Sequence, residues 1–415
     1  MHFGVISPPV SGHIHPFGAL GRELIARGHR VSLLHMPDLA PLVETQGLEF
    51  ISVGQSDHPV GSLPQSLARL GQLDGLAALR FTIQAIRRTT EMICRDAPDA
   101  IRDHAIDALL VDQTEPAGGT VAERLAIPFV TVCNALALNR ESEVPPPFTG
   151  WPYRRNPWVR TRNRLGYAVS DRIMRPVTRI VSMYRKKWDL PPLQTPESSF
   201  STLAQISQTP AAFDFPRREL PQHFHYVGPL RHPALRVIPF PWERLDGRPL
   251  IYASLGTLQN AKDQIFRCFA EACVDLDFQL VITHGGGLGE DAASSFPGNP
   301  LVVSYAPQLE VLRRARMTLT HAGLNTVLDS LACGVPLVAV PITYEQPAIA
   351  SRIRWTGVGE VLPLARLNAQ RLRETIQQVA SNPSYASRAH AIQRSIEQSG
   401  GVRGAADLIE KKVVA

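Results

Sequence analysis

The stretch from Tyr305 to Gln346 reads YAPQLEVLRRARMTLTHAGLNTVLDSLACGVPLVAVPITYEQ. Tyr305-Ala306-Pro307-Gln308 closes one strand, and Met317 to Thr320 is expected to form the next. His321-Ala322-Gly323-Leu324-Asn325-Thr326 then turns straight into a helix beginning near Gly323. The first turn of such a helix has backbone N–H groups with no partner inside the helix, and it carries the positive end of the helix dipole. With His321 and the Thr326 hydroxyl beside them, those amides make a place for phosphate.

The same strand-loop-helix order recurs outward in both directions. In the first half, His2 to Ser7 reads as a strand and Pro8 to Gly12 as a turn; Phe17, Leu20 and Leu24 then repeat at helical spacing until Gly28, and Arg30 to His35 is the next strand. Ala108 to Val111, Ala117 to Leu125 and Phe129 to Val132 repeat the pattern, as do Leu250 to Ser254, Asp263 to Leu276, Gln279 to Thr283 and Leu301 to Ser304. This alternation predicts an α/β fold of parallel sheets covered by helices on both faces. A length of 415 residues suits two such domains of roughly 200 residues each. The prolines at 229, 233, 239, 241 and 249 mark a linker, so the expected division is 1–230 and 231–394. Asn368 to Val413 is helical in pattern, and its last part, from about 395 to 415, is expected to pack back on the first domain.

The five cysteines are scattered and contain no C-x-x-C pair, which favours reduced thiols in a cytosol over a disulfide scaffold or metal cluster. The first sixteen residues have neither a basic start nor an unbroken apolar stretch, so no signal peptide is expected, and no apolar run approaches a membrane span. Positive charge is concentrated between Trp151 and Leu190, which holds eleven Lys and Arg against Asp171 and Asp189, with three Trp and three Tyr interleaved. Such a stretch suits an anionic membrane at the inner face of the cell, an aromatic-lined acceptor mouth, nucleic acid, or a solvated helical hairpin kept soluble by its arginines.

Ligands of open α/β sheets sit beyond the carboxyl ends of the strands. His13, after Gly12 and the first strand, is placed to act as a general base; Asp112, at the end of another strand, is its natural partner to fix the tautomer. His15 lacks the preceding glycine, and Glu115 reads equally well as a helix-start carboxylate. No G-x-G-x-x-G follows the first strand and no G-x-x-x-x-G-K-[ST] occurs anywhere, while the glycine run Gly285 to Gly289 misses dinucleotide spacing at Glu290 and reads as a mobile loop near the pocket. Asp275-Leu276-Asp277 falls before a strand's amino end, where a solvated turn is expected rather than a metal site.

With these residues in hand, the chain resembles the family 1 glycosyltransferases, which have the GT-B fold and use UDP-sugars. Their donor-binding pattern, W-x-P-Q…H-x-G-x-N-[ST]…E…G-V-P…P…[DE]-Q, is matched here by Tyr305, Pro307-Gln308, His321, Gly323, Asn325-Thr326, Asp329, Gly334-Val335-Pro336, Pro341 and Glu345-Gln346. The resemblance implies two Rossmann-like domains facing each other across a cleft, no cofactor and no metal. It implies that Tyr305 stacks on uracil, Ala306 offers its backbone to the base, and Gln308 and Asp329 bind ribose. His321, Gly323, Asn325, Thr326 and Thr257 would hold the diphosphate, and Glu345 and Gln346 the sugar, with His13 and Asp112 as the catalytic pair. Tyr305 stands for the usual Trp and Asp329 for Glu, and Leu324 stands where plant members often have a second Trp.

A narrower resemblance, to bacterial zeaxanthin glucosyltransferases, rests on residues 112–118, 204–208, 214–217 and 253–259. It implies UDP-glucose as donor and an apolar hydroxylated carotenoid as acceptor, no nucleic-acid partner, and a use for 151–190 in contacting a membrane. A macrolide, sterol or other lipid acceptor is the competing expectation. A UDP-sugar epimerase or a non-catalytic nucleotide-sugar binder would share the architecture without the acceptor chemistry.

Overall fold

A computed structural model describes residues 1–73, 75–232, 238–257, 262–289 and 295–414. Pro233 of the expected linker, the last two residues of the 253–259 segment, Glu290 and Ala415 lie outside the described residues.

Two wholly parallel sheets organise the chain. The first has the order β3-β2-β1-β4-β5-β6-β7, with β1 at His2–Ile6, β2 at Arg30–His35, β3 at Glu49–Ser52, β4 at Ala108–Asp112, β5 at Phe129–Cys133, β6 at Gln205–Ser207 and β7 at Phe224–Tyr226. The second has the order β10-β9-β8-β11-β12-β13, with β8 at Leu250–Ser254, β9 at Gln279–Thr283, β10 at Leu301–Val303, β11 at Ala315–Thr320, β12 at Leu337–Ala339 and β13 at Gly359–Val361.

Both sheets are buried on both faces, which is why their strands read as continuous apolar runs. Alternate side chains serve opposite layers. Ala108 and Leu110 of β4 join Phe3, Val5, Phe17 and Leu20 on one side, while Leu109 and Val111 meet Ile93, Ala97 and Val121 on the other. In β8, Ile251 and Ala253 pack with Phe266 and Phe269, and Leu250 and Tyr252 with Val311 and Leu312.

The C-terminal helices divide their loyalty. Ala369–Ser381 and Pro383–Glu397 pack on the second sheet's layers through Leu372, Ile376, Ala389 and Ile392. Gly401–Ile409 then crosses to the first, placing Val402, Ala405, Ala406 and Ile409 in the core of β1 and the helix Ser11–Ala26, with Arg27 donating to Asp407 at 2.6 Å and Glu410 at 2.8 Å.

Several boundaries differ from the sequence expectation. The first helix begins at Ser11, so Gly12 and His13 lie in its first turn rather than in a preceding loop. Tyr305 sits beyond the end of β10, and Gln308 opens the short helix Gln308–Leu312, because Pro307 favours a helix start over strand continuation. The helix from Asp263 ends at Cys273, and Asp275, at φ 63°, makes the solvated turn into β9. The basic stretch is not a hairpin: Pro157–Lys187 is one helix of 31 residues, capped by the Asn156 side chain on the Val159 amide.

Candidate functional site

His13 and Asp112 meet because β1 and β4 are neighbours in register, Ile6 opposite Val111, with Asp112 the last residue of β4 and His13 in the helix that follows β1. Nδ1–H of His13 donates to Oδ2 of Asp112 at 2.8 Å, which leaves Nε2 as the free, basic nitrogen. The fully buried Asp112 is held on every side: Oδ1 accepts from the Thr114 amide at 2.9 Å and hydroxyl at 2.6 Å, and Oδ2 also accepts from Nδ2 of Asn134 at 2.9 Å. Burial alone would lower the His13 imidazole, but the Asp112 carboxylate more than offsets it, helped by Glu345, so the ring is held above its ordinary value. Burial opposes ionisation of Asp112 as well, and His13 together with the Thr114 bonds keeps its carboxyl below the usual range.

His15 and Glu115 fall outside this cluster. His15 is exposed and pairs with no carboxylate among the described residues. Glu115 is buried, with its carboxyl pushed up to about 8 by burial and Oε1 without a partner, so it is neutral at pH 7 and supplies no second anion to His13.

Across the cleft, every residue expected at the donor site lies beyond the carboxyl end of a strand of the second sheet. Thr257 follows β8, Tyr305, Ala306 and Gln308 follow β10, His321 follows β11, and Glu345 follows β12. Gly323 is the N-cap of the helix Leu324–Ala332, and the Val327 amide is the first to bond inside the helix, to the Gly323 carbonyl at 3.1 Å. The amides of Leu324, Asn325 and Thr326 thus stand outside the helical ladder. His321 packs against this turn; burial pushes its imidazole down to about 4, so it is neutral, and its buried Nδ1 has no partner. Only glycine fits around that ring: a Cβ on Gly323 would lie 2.6 Å from its Cε1, and one on Gly256 2.9 Å. Ala322 and Tyr344, at φ 67° and 55°, adopt the left-handed region rare for residues with a Cβ, the one next to His321 and the other next to Glu345.

Gln308, Asp329 and Arg231 form one chain of contacts. Gln308 accepts from the Tyr252 hydroxyl at 2.9 Å and donates to Oδ2 of Asp329 at 2.6 Å, while Nε of Arg231 donates to Oδ1 of Asp329 at 2.6 Å. The Tyr305 ring is 57% exposed, with its hydroxyl donating to the Gly285 carbonyl at 3.2 Å. That glycine run does border the pocket but is tied down: the Gly285 amide bonds Ser304 at 2.7 Å, and the Leu288 amide bonds Nδ1 of His284 at 3.0 Å.

The two halves touch through the site itself. Oε2 of Glu345 accepts from the Leu136 amide at 3.1 Å, the Ser11 and Thr257 hydroxyls bond at 2.5 Å, and Asn325 donates from Nδ2 to the Gly12 carbonyl at 2.7 Å while accepting from Gln208 at 3.1 Å. Burial raises the Glu345 carboxyl, and the Leu136 amide partly opposes this. Gln346 is buried, its Oε1 engaged by the Ile342 and Thr343 amides at 2.8 and 2.9 Å, so only its amide nitrogen is left to meet a ligand. Leu324, where a second Trp stands in plant members, packs into an apolar cluster with Leu136 and Phe213 and does not line the pocket as an aromatic would.

Sequence reasoning missed Asn134, Gln208 and Arg231. Asn134 directly follows β5 and Gln208 directly follows β6, so the rule that picked out Asp112 at the end of β4 also marks both. Arg231 belongs to no motif.

Comparison with known proteins bears on the whole chain. The profile of the UDP-glucoronosyl and UDP-glucosyl transferase family matches residues 75–396, and that of the glycosyltransferase family 28 N-terminal domain matches residues 11–134. The chain is 36% identical to the zeaxanthin glucosyltransferase of Pantoea ananas, covering 99% of this chain and 95% of that one, and 35% identical to that of Pseudescherichia vulneris, covering 99% and 98%. In fold it is similar to the crystal structure of the glycotransferase of kitacinnamycin, with a TM-score of 0.78 at 23% identity over 99% of both chains, so the architecture is GT-B. The chain belongs to the UDP-glucoronosyl and UDP-glucosyl transferase family and is a glycosyltransferase that moves a hexose from a nucleotide-sugar to a small-molecule acceptor.

Proposed function

We propose that this enzyme transfers glucose from UDP-glucose, with inversion and without a metal, to a hydroxyl of an apolar acceptor, a hydroxylated carotenoid such as zeaxanthin. The names of the two 35–36% identical relatives support the acceptor. The observation that carries the chemistry is the His13–Asp112 pair, in which Nδ1 is engaged by the carboxylate and Nε2 is left basic, with the Glu345 charge near enough to raise the imidazole further.

In this reading residues 1–230 hold the acceptor and 231–394 the donor. Tyr305 stacks on uracil, Ala306 bonds the base through its backbone, Gln308 and Asp329 take the ribose hydroxyls, and Glu345 and Gln346 take hydroxyls of the sugar. The acceptor O–H gives its proton to Nε2 of His13 as its oxygen bonds to the anomeric carbon, and the bond from that carbon to the β-phosphate oxygen breaks with its electron pair. Asp112 stabilises the imidazolium that forms. The charge left on UDP is met by the free amides of Leu324, Asn325 and Thr326, by His321 and by the Thr326 and Thr257 hydroxyls, donors already in position before reaction.

Incubation with UDP-glucose and a panel of hydroxylated carotenoids, macrolides and sterols, with product masses read out, tests the acceptor. Glucosylation of a macrolide or sterol with none of a carotenoid would overturn it. Unchanged turnover in EDTA and a product of inverted anomeric configuration are the expected results for the mechanism.

A further inference from the structure

We propose that the outer face of the helix Pro157–Lys187 docks this enzyme on an anionic lipid bilayer, with the helix lying in the plane of the interface. At about 100° per residue, Trp158, Leu165, Val169, Pro176 and Met183 fall within roughly 40° of one another around the helix. They form a ridge about 37 Å long at 1.5 Å per residue. All are turned to solvent: Trp158 is 85% exposed, Leu165 63%, Val169 58% and Met183 50%, and Pro176 is exposed as well. Single exposed apolar residues are ordinary, whereas a continuous exposed ridge marks an interaction surface.

Charge decides what covers it. Arg164, Arg172, Arg175, Arg179 and Lys186 project along one flank of the ridge, all exposed. None of the five has a carboxylate partner among the described residues, in contrast to the basic residues turned toward the protein. Arg160 pairs with Glu143 at 2.6 Å, Arg185 with Glu123 at 2.7 Å, and Arg162 lies over the Trp151 ring at 4.6 Å. The helix's one acid, Asp171, is drawn inward to Arg140 at 2.5 Å. The inward side of the helix, through Ile180, Val181 and Tyr184, is packed against the first domain, including the helix Gly75–Asp103. An apolar ridge with unpaired arginines on its flank, and with the helix's one acid paired to Arg140, is the pattern of a helix that sinks its apolar side to the headgroup boundary of an anionic membrane. No helix among the described residues is long and apolar enough to cross one, so the contact is peripheral.

The intact chain should sediment with vesicles of phosphatidylglycerol and phosphatidylcholine at low salt, and bind pure phosphatidylcholine vesicles weakly. Joint replacement Arg172→Gln, Arg175→Gln and Arg179→Gln should lower partition onto anionic vesicles on the order of 100-fold, and Leu165→Gln, Val169→Gln and Met183→Gln together should abolish it. Melting temperature and transfer to a water-soluble acceptor should be unchanged in both, since none of the six residues touches the site. Equal binding to neutral and anionic vesicles, or full retention in either variant, overturns the proposal. So does a concentration-dependent dimer lost in the apolar variant, which assigns the ridge to a second copy of the chain, or salt-sensitive RNA binding at the expense of vesicles. Sedimentation reads the surface alone, so the result is independent of which acceptor the enzyme uses.

Discussion

Oδ1 of Asp214 accepts from Nε of Arg352 at 2.8 Å and from its Nη2 at 2.7 Å, joining a loop of the first domain to the helix Gln346–Thr356 of the second, with both residues almost completely buried. Arg217 holds the other carboxylate oxygen at 3.0 Å, and the Arg352 guanidinium lies 4.2 Å over the Phe215 ring. Asp214→Ala leaves two buried guanidinium groups short of their anion, and removing one partner of a buried pair costs about 3–5 kcal/mol. Urea unfolding of this variant should show a loss of that size. Because the helix that carries Arg352 begins directly after Glu345, its KM for the donor should rise too.

The same carboxylate sets an acid limit. Burial opposes its ionisation, but Arg217 and Arg352 outweigh that and hold Asp214 far below the ordinary range. A depressed acid contributes stability that is fully present above its unfolded value, about 3.9, and is lost as pH falls through the folded value. Stability of the wild type should therefore decline below about pH 4, and Asp214→Asn should be less stable at neutral pH with a shallower decline in acid.

His13 is held above its ordinary value by a neighbour 2.8 Å away, and a general base works only when neutral. The rate of glycosyl transfer should thus climb with pH through a limb lying above the free imidazole value, about 6.5, and then level off. In Asp112→Asn the burial that lowers the imidazole remains while the charge that raises it is gone, so the limb should move to lower pH as the plateau falls. His13→Ala should cost about 10²- to 10⁴-fold in kcat; a loss under tenfold removes His13 from the role of base.

How much of this was legible in the sequence depends on the distance between partners. The turn from Thr320 through Gly323 was legible because strand, ligand-facing residues and helix start are contiguous, and the chemistry of a helix N-terminus is local. The pairing of His13 with Asp112 required only that β1 and β4 be neighbours, a common arrangement in doubly wound sheets. Asp214 and Arg352 are separated by 138 positions and lie on opposite domains, and nothing in their local context announces a contact. Arg231 reaches Asp329 from the linker for the same reason. The three-residue strands β6 and β7 are too short for period-two patterning to register. The charge of 151–190 was plain, yet which of its residues face outward emerges only when the helix is docked on its neighbours.

Among the described residues Glu345 accepts only from the Leu136 amide, which leaves its other oxygen free for a ligand, the sugar in the proposed reading. Glu345→Gln keeps an acceptor for that amide while removing the charge and one acceptor site. The KM for UDP-glucose should rise about tenfold, the size expected for one charged hydrogen bond, with inhibition by UDP itself unchanged. An equal rise in the UDP inhibition constant would place Glu345 on the nucleotide rather than the sugar.

Gly323→Ala tests the proposed diphosphate site through sterics alone. The backbone there, at φ −65°, suits alanine, so no conformational strain is added and the only conflict is with the His321 ring, 2.6 Å from the new methyl. Relief of that contact requires the His321 ring to shift, and with it the Nδ1 that has no hydrogen-bond partner among the described residues. Affinity for UDP should drop about tenfold, as for loss of one hydrogen bond to a charged group, while affinity for uridine, which lacks the diphosphate, should hold. Calorimetric titration of both ligands against the variant separates this from general disorder at the pocket, which would weaken uridine and UDP alike.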